Sequence, residues 1–378
     1  MTAGPARPRR ILVLSGGLIH LVHQLAVVRA LPAVAADPGE PEPVRPPARI
    51  AVLITGVLNR NPTALAALQD TIDIWFERLR GDADGRLAGL RLVRDPQALP
   101  PAPWDLVCLN NQWQSNQREW MERLDIPELL VCGDGLGLYY RCARELRAVL
   151  PSLLGLPIRE PGRRVRYVLS GHQPRWHRPP LPPQPAPLAE RRRLFALLVD
   201  SLRSDAREEL ERCLTTWAPD RPLWLCSVPN LAHQFPDDTI APAVLQQWRR
   251  HLQRHHGFQP DRDRLLLLDH PKAPPGGSFG ALQQPWLAGP LRSSLPLEVL
   301  IAGLQDRRPG AVVLVCGMTS ALYGVRRLTH ARVVWLPLLP LWRHNPSYRR
   351  RPLEFLHRSL RLARMALLTS RSEQAADG

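Results

Sequence analysis

Short apolar runs alternate with amphipathic stretches along most of the chain. The stretches between the runs have the character of amphipathic helices. Because two parallel strands need a long crossover, usually a helix, this alternation predicts parallel sheets covered by helices. In the first half of the chain, the predicted strands are RILVLSG, RIAVLITG, LRLV, DLVCLNN, ELLVCGDG and VRYVLSG.

The pattern is interrupted near the middle of the chain and then starts again. A helix with Arg and Glu on its polar face is expected from about Leu188 to Trp217, and the sequence APDRP follows it as a break. Beyond the break, the predicted elements are the strands LWLCSVPN, RLLLLDH, AVVLVCG and ARVVWLPL and the helices around APAVLQQWRRHLQRHH and LPLEVLIAGL. A chain of 378 residues is also too long for one compact core, so two domains are expected.

The predicted fold class is α/β, with two Rossmann-like parallel-sheet domains that face a central cleft. The first domain spans residues 1–217, the second spans residues 218–345, and residues 346–378 form a C-terminal helix with a frayed tail. Ligands of open parallel sheets bind outside the carboxyl ends of the strands. Candidate functional residues are therefore those that come soon after a predicted strand.

The chain is strongly basic, with a formal net charge of +16 that comes almost wholly from arginine. Such a charge indicates an anionic partner. A GC-rich genome produces the same bias when Arg replaces Lys, and the 41 prolines favour that origin. No zinc spacing, recognition-helix pattern or stacked-aromatic motif accompanies the charge, so we expect no nucleic-acid partner. We expect only weak association of exposed arginines with anionic membrane or glycan surfaces.

The cysteines and the N-terminus bear on location. The six cysteines form no CxxC pair, which is typical of reduced core thiols in a cytosolic protein. The stretch RPRRILVLSGGLIHLVHQLAVVRA imitates a signal peptide, but His20, His23 and Gln24 interrupt it, so a strand and a helix are the better interpretation. No apolar run is long enough to span a membrane. The predicted location is the cytoplasm, with peripheral contact at the inner face of the membrane.

Two strand ends of the first half carry candidate residues. After the first strand come Ser15, Gly16 and Gly17, where backbone N–H groups can approach a ligand at a helix N-terminus; the alternative is a simple tight turn. After the strand ELLVC comes Asp134, which lies between two glycines. Its carboxylate suits a general base, and the alternative is a turn Asp that bonds its own backbone.

The strand RLLLLD of the second half leads into His270. An imidazole at this position can donate to an anionic leaving group. Pro271 keeps a helix from starting at once, and Lys272, the only lysine of the chain, adds a positive charge. The alternative is a histidine that merely ends a strand.

Two further positions of the second half suit a nucleotide. Thr319 and Ser320 follow the strand AVVLVCG and precede a helical stretch, so they form either an anion site or an ordinary N-cap. Glu298 lies one turn into a helix. Its carboxylate can accept from the two hydroxyls of a ribose, or it is only a favourable charge near the helix dipole.

The order of these motifs carries a resemblance to a known family. A DG after a strand, an HP after a later strand, a P-x-E helix and a hydroxyl pair resemble the bacterial GT-B sialyltransferases, most closely the alpha-2,8-polysialyltransferase-like family. The resemblance covers the chain from SGGLIHLVHQL to about Leu341. It implies that Asp134 deprotonates the acceptor hydroxyl and that His270 contacts the phosphate of a CMP-sugar. It also implies that Thr319 and Ser320 hold that phosphate and that Glu298 holds the ribose.

The predicted function is therefore that of an inverting, metal-independent glycosyltransferase of GT-B type. It would move sialic acid or a related nonulosonic acid from its CMP ester to a hydroxyl of a cell-surface glycan, with no cofactor. The partners would be a CMP-sugar donor and a glycan acceptor, and the donor contacts would include Pro271, Lys272 and the turn Ser15, Gly16 and Gly17.

Three alternatives remain open at this stage. A CMP-Kdo transferase uses similar motifs and differs mainly in the shape of its donor pocket. A non-catalytic anion-binding homologue fits Gly133, which stands where the family has a first acidic residue. A metal-dependent transferase fits less well, because the DRD sequence at Asp261 precedes its strand and the DAD sequence at Asp82 is typical of a turn.

Overall fold

A computed structural model describes the protein, and it divides the chain into two compact units, Met1–Leu202 and Arg203–Gly378. Each unit is described by itself below. The described residues are 10–35, 48–55, 62–83, 85–99, 103–110, 115–124, 128–132, 164–169, 184–185, 188–227, 242–269, 284–291, 293–309, 312–316, 321–337, 339–344 and 349.

The first unit alternates strands and helices as the sequence predicts, and all six predicted strands are confirmed. Its elements in chain order are β1 (Arg10–Ser15), α1 (Leu18–Ala35), β2 (Arg49–Ile54), α2 (Pro62–Arg80), β3 (Leu90–Val93), β4 (Leu106–Leu109), α3 (Ser115–Arg123), β5 (Glu128–Val131), β6 (Arg164–Leu169), β7 (Gln184–Pro185) and α4 (Leu188–Asp200), with a 3-10 turn at Pro96–Ala98.

The strands of this unit form a parallel sheet in the order β3-β2-β1-β4-β5-β6-β7. Ile11 on β1 pairs with Ile50 on one side and with Leu106 on the other. The order is that of a doubly wound α/β fold, and it reverses direction between β1 and β4. The central strands β1 and β4 are almost wholly apolar because helices cover a parallel sheet on both faces, and Leu12 and Val107 are fully buried.

The second unit repeats this architecture with fewer strands. Its sheet has the order β10-β9-β8-β11-β12, all parallel, with the reversal between β8 and β11. The elements in chain order are α5 (Ser204–Leu214), β8 (Leu223–Ser227), α6 (Pro242–His256), β9 (Leu265–Leu268), β10 (Leu287–Leu291), α7 (Leu297–Arg307), β11 (Val312–Cys316), α8 (Ala321–Leu328), β12 (Arg332–Trp335) and α9 (Leu339–His344).

The predicted helix from Leu188 to Trp217 is wrong, because the structure has two helices there. The N–H groups of Ser201 and Leu202 donate to carbonyls three residues earlier, and the Ser201 hydroxyl donates to Leu197 O at 2.6 Å. This tight turn ends α4, and a new helix begins at Ser204. α4 packs on α1 and α2 in the first unit, whereas α5 packs on α7 in the second. The two units therefore divide after Leu202, whereas the sequence placed a boundary at residue 217.

The coarse fold prediction is confirmed: both units are α/β, and each is built on a parallel sheet of Rossmann-like order. Strand β10 was not predicted, because Gly289 and Pro290 interrupt its apolar pattern and leave it half exposed. In the described part of the chain, no helix combines the length and the apolar character that crossing a membrane requires. The predicted C-terminal helix in residues 346–378 lies, apart from Arg349, outside the described residues.

Candidate functional site

The structure describes four of the ten predicted site residues, namely Ser15, Gly16, Gly17 and Glu298. The other six lie outside the described residues, although the strands that precede them are described. These six are Asp134, His270, Pro271, Lys272, Thr319 and Ser320.

In the second unit, the sheet topology determines where the strands that precede His270 and Thr319 end. β9 ends at Leu268 and β11 ends at Cys316, and β8 lies between these two strands in the sheet. All three strands run parallel, so they end at one edge of the sheet. The chain therefore leaves toward His270 and toward Thr319 from the same edge, from strands two positions or about 10 Å apart.

Glu298 lies in the first turn of α7 and is only 8% exposed. Its side chain occupies the space beside Gly324 of α8: a Cβ built on Gly324 would stand 2.7 Å from Glu298 Cγ and 2.9 Å from Cδ. α8 is the helix that begins directly after Thr319 and Ser320. The fold thus brings Glu298 against the first turn of the helix that follows the predicted phosphate-binding pair.

This placement of Glu298 is electrostatically favourable. α7 and α8 each follow a parallel strand, so both helices begin at the carboxyl edge of the sheet. The N-terminal turn of a helix carries a partial positive charge that stabilises a carboxylate. Pro296 at the N-cap of α7 supplies no side-chain hydrogen bond. A buried carboxylate at this edge is suited to accept hydrogen bonds from ligand hydroxyls.

Glu209 on α5 supports the turn that precedes α7. The side-chain hydroxyls of Ser293 and Ser294 both donate to the Glu209 carboxylate, the latter at 2.6 Å, and the Ser294 N–H donates to it at 3.3 Å. Glu209 is 7% exposed. The arrangement fixes the start of the helix that carries Glu298.

Two contacts farther along α5 complete its packing on α7. Leu210 lies against Gly303, where a Cβ would come within 2.6 Å of the leucine Cδ1, and Arg307 Nε donates to Glu211 Oε1 at 2.6 Å. Sequence reasoning missed Glu209. Its signal is an acidic residue at helical spacing from Ala206 and Cys213, on the apolar face of α5.

The turn at Ser15, Gly16 and Gly17 is held by hydrogen bonds within the first unit. Ser15 is fully buried, and its hydroxyl donates to Gly17 O at 2.9 Å. The N–H of Gly16 donates to Asn110 Oδ1 at 2.8 Å. Thr55, which follows β2, donates its N–H to Ser15 O at 2.7 Å. The ends of β1, β2 and β4 are therefore tied together.

A network of buried side-chain amides supports the same strand ends. Gln24 Nε2 donates to Leu14 O at 2.9 Å and to Cys108 O at 3.3 Å. Gln117 Nε2 donates to Leu14 O at 3.3 Å and to Asn110 Oδ1. Sequence reasoning missed Asn110 and Gln117. The signal for Asn110 is an amide directly after a fully apolar strand, in the run LVCLNN.

Four of the described cysteines agree with the prediction of reduced core thiols. Cys108, Cys132, Cys213 and Cys226 are buried and form no disulfide. Burial raises the pKa of Cys213 and of Cys226 to about 12, so both remain protonated thiols.

One aspartate of each DxD sequence forms ion pairs with arginine, whereas Asp261 is exposed. Asp263 is 2% exposed and pairs with Arg221 at 2.6 Å. Asp82 pairs with Arg29 at 3.1 Å and with Arg193 at 2.8 Å. Burial works to raise the pKa of Asp82, but the hydrogen bond and charge of Arg193 and the charge of Arg29 together lower it. In the described residues, no group of three His, Cys, Asp or Glu side chains is placed to hold a metal ion.

Three histidines cluster near the end of α6. His251 Nε2 and His256 Nε2 are 3.3 Å apart, and the ring of His255 lies 4.9 Å from that of His251. Desolvation, followed by the charge of His255, lowers the pKa of His251, although a hydrogen bond to the backbone of Trp335 opposes the shift. Desolvation and then the charges of His251, Arg332 and His255 lower the pKa of His256. His251 and His256 therefore stay neutral to a lower pH than free imidazoles do.

The described geometry thus consists of two parallel-sheet edges, one with a buried carboxylate at Glu298 and one with a hydrogen-bonded glycine turn at Gly16. Comparison of the chain with family models, with curated proteins and with solved structures found no match.

Proposed function

We propose that this chain is an inverting glycosyltransferase of GT-B type. It moves sialic acid or a related nonulosonic acid from its CMP ester to a hydroxyl of a cell-surface glycan, in the cytoplasm or at the inner face of the membrane. It needs no cofactor and no metal ion. The partners are the CMP-sugar donor and the glycan acceptor.

The observation that carries this proposal is the position of Glu298. A nucleotide on an open parallel sheet binds outside the carboxyl ends of the strands, where the strand order reverses. Glu298, in the first turn of α7, is buried at this edge. Its side chain lies against Gly324, which is in the first turn of α8, the helix that follows Thr319 and Ser320. A carboxylate held there suits the two hydroxyls of a ribose, because an ionised carboxylate only accepts hydrogen bonds. The adjacent helix start suits a phosphate.

The reaction is a single displacement at the anomeric carbon of the donor sugar. The acceptor oxygen forms a bond to that carbon while the bond from the carbon to the phosphate oxygen breaks, and CMP leaves with the electron pair. Asp134 takes the proton of the acceptor hydroxyl. His270 and Lys272 stabilise the charge that develops on the leaving phosphate, as electrostatic catalysis requires.

The remaining proposed residues hold the donor. The hydroxyls of Thr319 and Ser320 cradle the phosphate, and Pro271 shapes the segment that carries His270. The turn Ser15–Gly17 of the first unit supplies a further donor contact. The ion pairs of Asp82 and Asp263 support the metal-independent form of this proposal, because both carboxylates are already used by arginines.

Nucleotide binding tests the proposal directly. Calorimetry of the full chain with CMP, UDP and GDP should show selective binding of CMP. Glu298→Ala should weaken CMP binding by about 1.5–3 kcal/mol, or roughly ten- to hundredfold, because a charge-assisted hydrogen bond is lost. The matched control is Glu208→Ala, which removes an exposed carboxylate of the same unit and should change nothing. Equal binding of all three nucleotides, or none, would refute the proposal.

The catalytic roles are tested by transfer from CMP-sialic acid and from CMP-Kdo in the presence of EDTA. Transfer from CMP-sialic acid alone supports the proposal. Transfer from CMP-Kdo alone would mean that the donor sugar is Kdo and not sialic acid. Asp134→Asn should abolish transfer and leave CMP binding unchanged, because the base acts on the acceptor. A variant that loses both would assign a structural role to Asp134.

A further inference from the structure

The strand order of the first unit reverses between β1 and β4, and the turn at Gly16 and Gly17 lies at this point. α1 begins there and is 18 residues long, with no acidic residue in its first turn. The first N–H groups of a helix have no partner within it. Among the described residues, none accepts from the N–H groups of Gly17, Leu18 or Ile19. The positive end of α1 is thus uncompensated by the part of the chain that the structure describes.

Asn110 contributes a second, independent donor at the same point. Its Oδ1 accepts from the N–H of Gly16 and from Gln117 Nε2. A backbone N–H can only donate, so the oxygen and nitrogen of the Asn110 amide are unambiguous and Nδ2 points away from both groups. No described residue accepts from this Nδ2, although Asn110 is only 3% exposed.

His20 provides a third group beside the turn. Its Cδ2 lies 3.9 Å from the position that a Cβ on Gly17 would take, and the residue is half buried. The Ser15 hydroxyl is not an available donor, because it donates to Gly17 O. The described groups that remain available at this point are donors, and no carboxylate of α1 competes with them.

We propose that this point of the first unit is an anion site that binds a carboxylate or a phosphate group. The N–H groups of Gly17 and Leu18 and the Nδ2 of Asn110 donate to the anion, and His20 lies beside it. Gln117 is a positioning residue, since it holds Oδ1 of Asn110 and so directs Nδ2. The site rests on these residues alone and stands even if the transferase proposal fails. Under that proposal, the anion is either the phosphate of the donor or the carboxylate of a sialic acid on the acceptor.

The test is a titration of the isotope-labelled full chain with inorganic phosphate at low ionic strength, followed by NMR. We expect the amide signals of Gly17 and Leu18 and the side-chain amide of Asn110 to shift together. Asn110→Asp keeps an acceptor for Gly16 and Gln117 but replaces the free donor with a charged oxygen, so it should fold normally and bind phosphate about ten- to hundredfold more weakly.

Gln253→Glu is the matched control, because it adds the same charge at an exposed position of the second unit and should bind phosphate as the unchanged chain does. Shifts confined to other residues, or equal phosphate affinity of the Asn110→Asp variant, would overturn the proposal. Two further titrations identify the source of the anion: CMP shifts these signals if the site takes a nucleotide phosphate, and free sialic acid shifts them if it takes a sugar carboxylate. Reading the signals at Gly17 separates this site from the CMP site of the second unit.

Discussion

Glycine 324 tests the placement of Glu298 most directly. A Cβ on Gly324 would come within 2.7 Å of Glu298 Cγ and 2.9 Å of Cδ, both far inside normal contact distance. The Cγ is not the free end of the side chain, so rotating the carboxylate alone cannot relieve the overlap. We therefore expect Gly324→Ala to expel the whole Glu298 side chain from its buried position.

The expected loss of stability is small, because two effects oppose each other. Overpacking a buried position costs about 1–3 kcal/mol, and Ala in place of Gly inside a helix returns about 1 kcal/mol. The free energy of unfolding should therefore fall by up to about 2 kcal/mol. CMP affinity should fall by roughly ten- to hundredfold, as for Glu298→Ala, since the carboxylate would lose the proposed contact with the ribose.

The assay combines urea denaturation with calorimetry of CMP binding. Gly303→Ala is the matched control: its Cβ meets the Leu210 side chain instead of Glu298, so it should keep its CMP affinity. The most decisive result is the sign of the change that Gly324→Ala makes to the free energy of unfolding, with and without the Glu298 side chain. Combined with Glu298→Ala, the Gly324→Ala change should stabilise the chain by about 1 kcal/mol, because its Cβ then enters vacated space. Destabilisation of equal size in both backgrounds would refute the reasoning.

Two further predictions concern other buried groups. Glu209→Ala should lower the free energy of unfolding by about 1–3 kcal/mol in urea denaturation, because the hydroxyls of Ser293 and Ser294 lose their acceptor; an unchanged value would show that the turn needs no anchor. In the folded state, the lowered pKa values of His251 and His256 mean that the unfolded chain binds more protons below about pH 6.5. Stability should therefore fall as the pH falls from about 7.5 to about 5.5, and His256→Gln should flatten this dependence. A pH profile that His256→Gln leaves unaltered would contradict the prediction.

The central strands were predictable because a parallel strand that is buried on both faces is apolar along its length. LVCL at residues 106–109 and LLLL at residues 265–268 show this pattern, and both are fully buried. The break between α4 and α5 was not predictable, since it depends on hydrogen bonds from Ser201 to carbonyls of α4 and on the packing of the two helices in different units.

The candidate site residues also differ in whether the sequence alone indicated them. Glu298 and the turn at Gly16 were identified in sequence, because each stands at or just beyond a predicted strand or helix end. Asn110 and Glu209 were missed, because each makes its decisive contacts with residues far away in the chain: Asn110 with Gly16, and Glu209 with Ser293. No local periodicity encodes such a pairing.

The local apolar pattern and the turn residues are enough to predict the α/β class, the two parallel sheets and the strand ends at which chemistry is expected. The tertiary structure sets which strands are neighbours, and so where each sheet reverses its order. It also sets which donors at the strand ends bond inside the fold. Ser15 and Gly16 donate to Gly17 and Asn110, whereas no described residue accepts from Asn110 Nδ2 or from the first N–H groups of α1. That difference arises because a hydrogen bond depends on distance in space between residues that the chain keeps far apart.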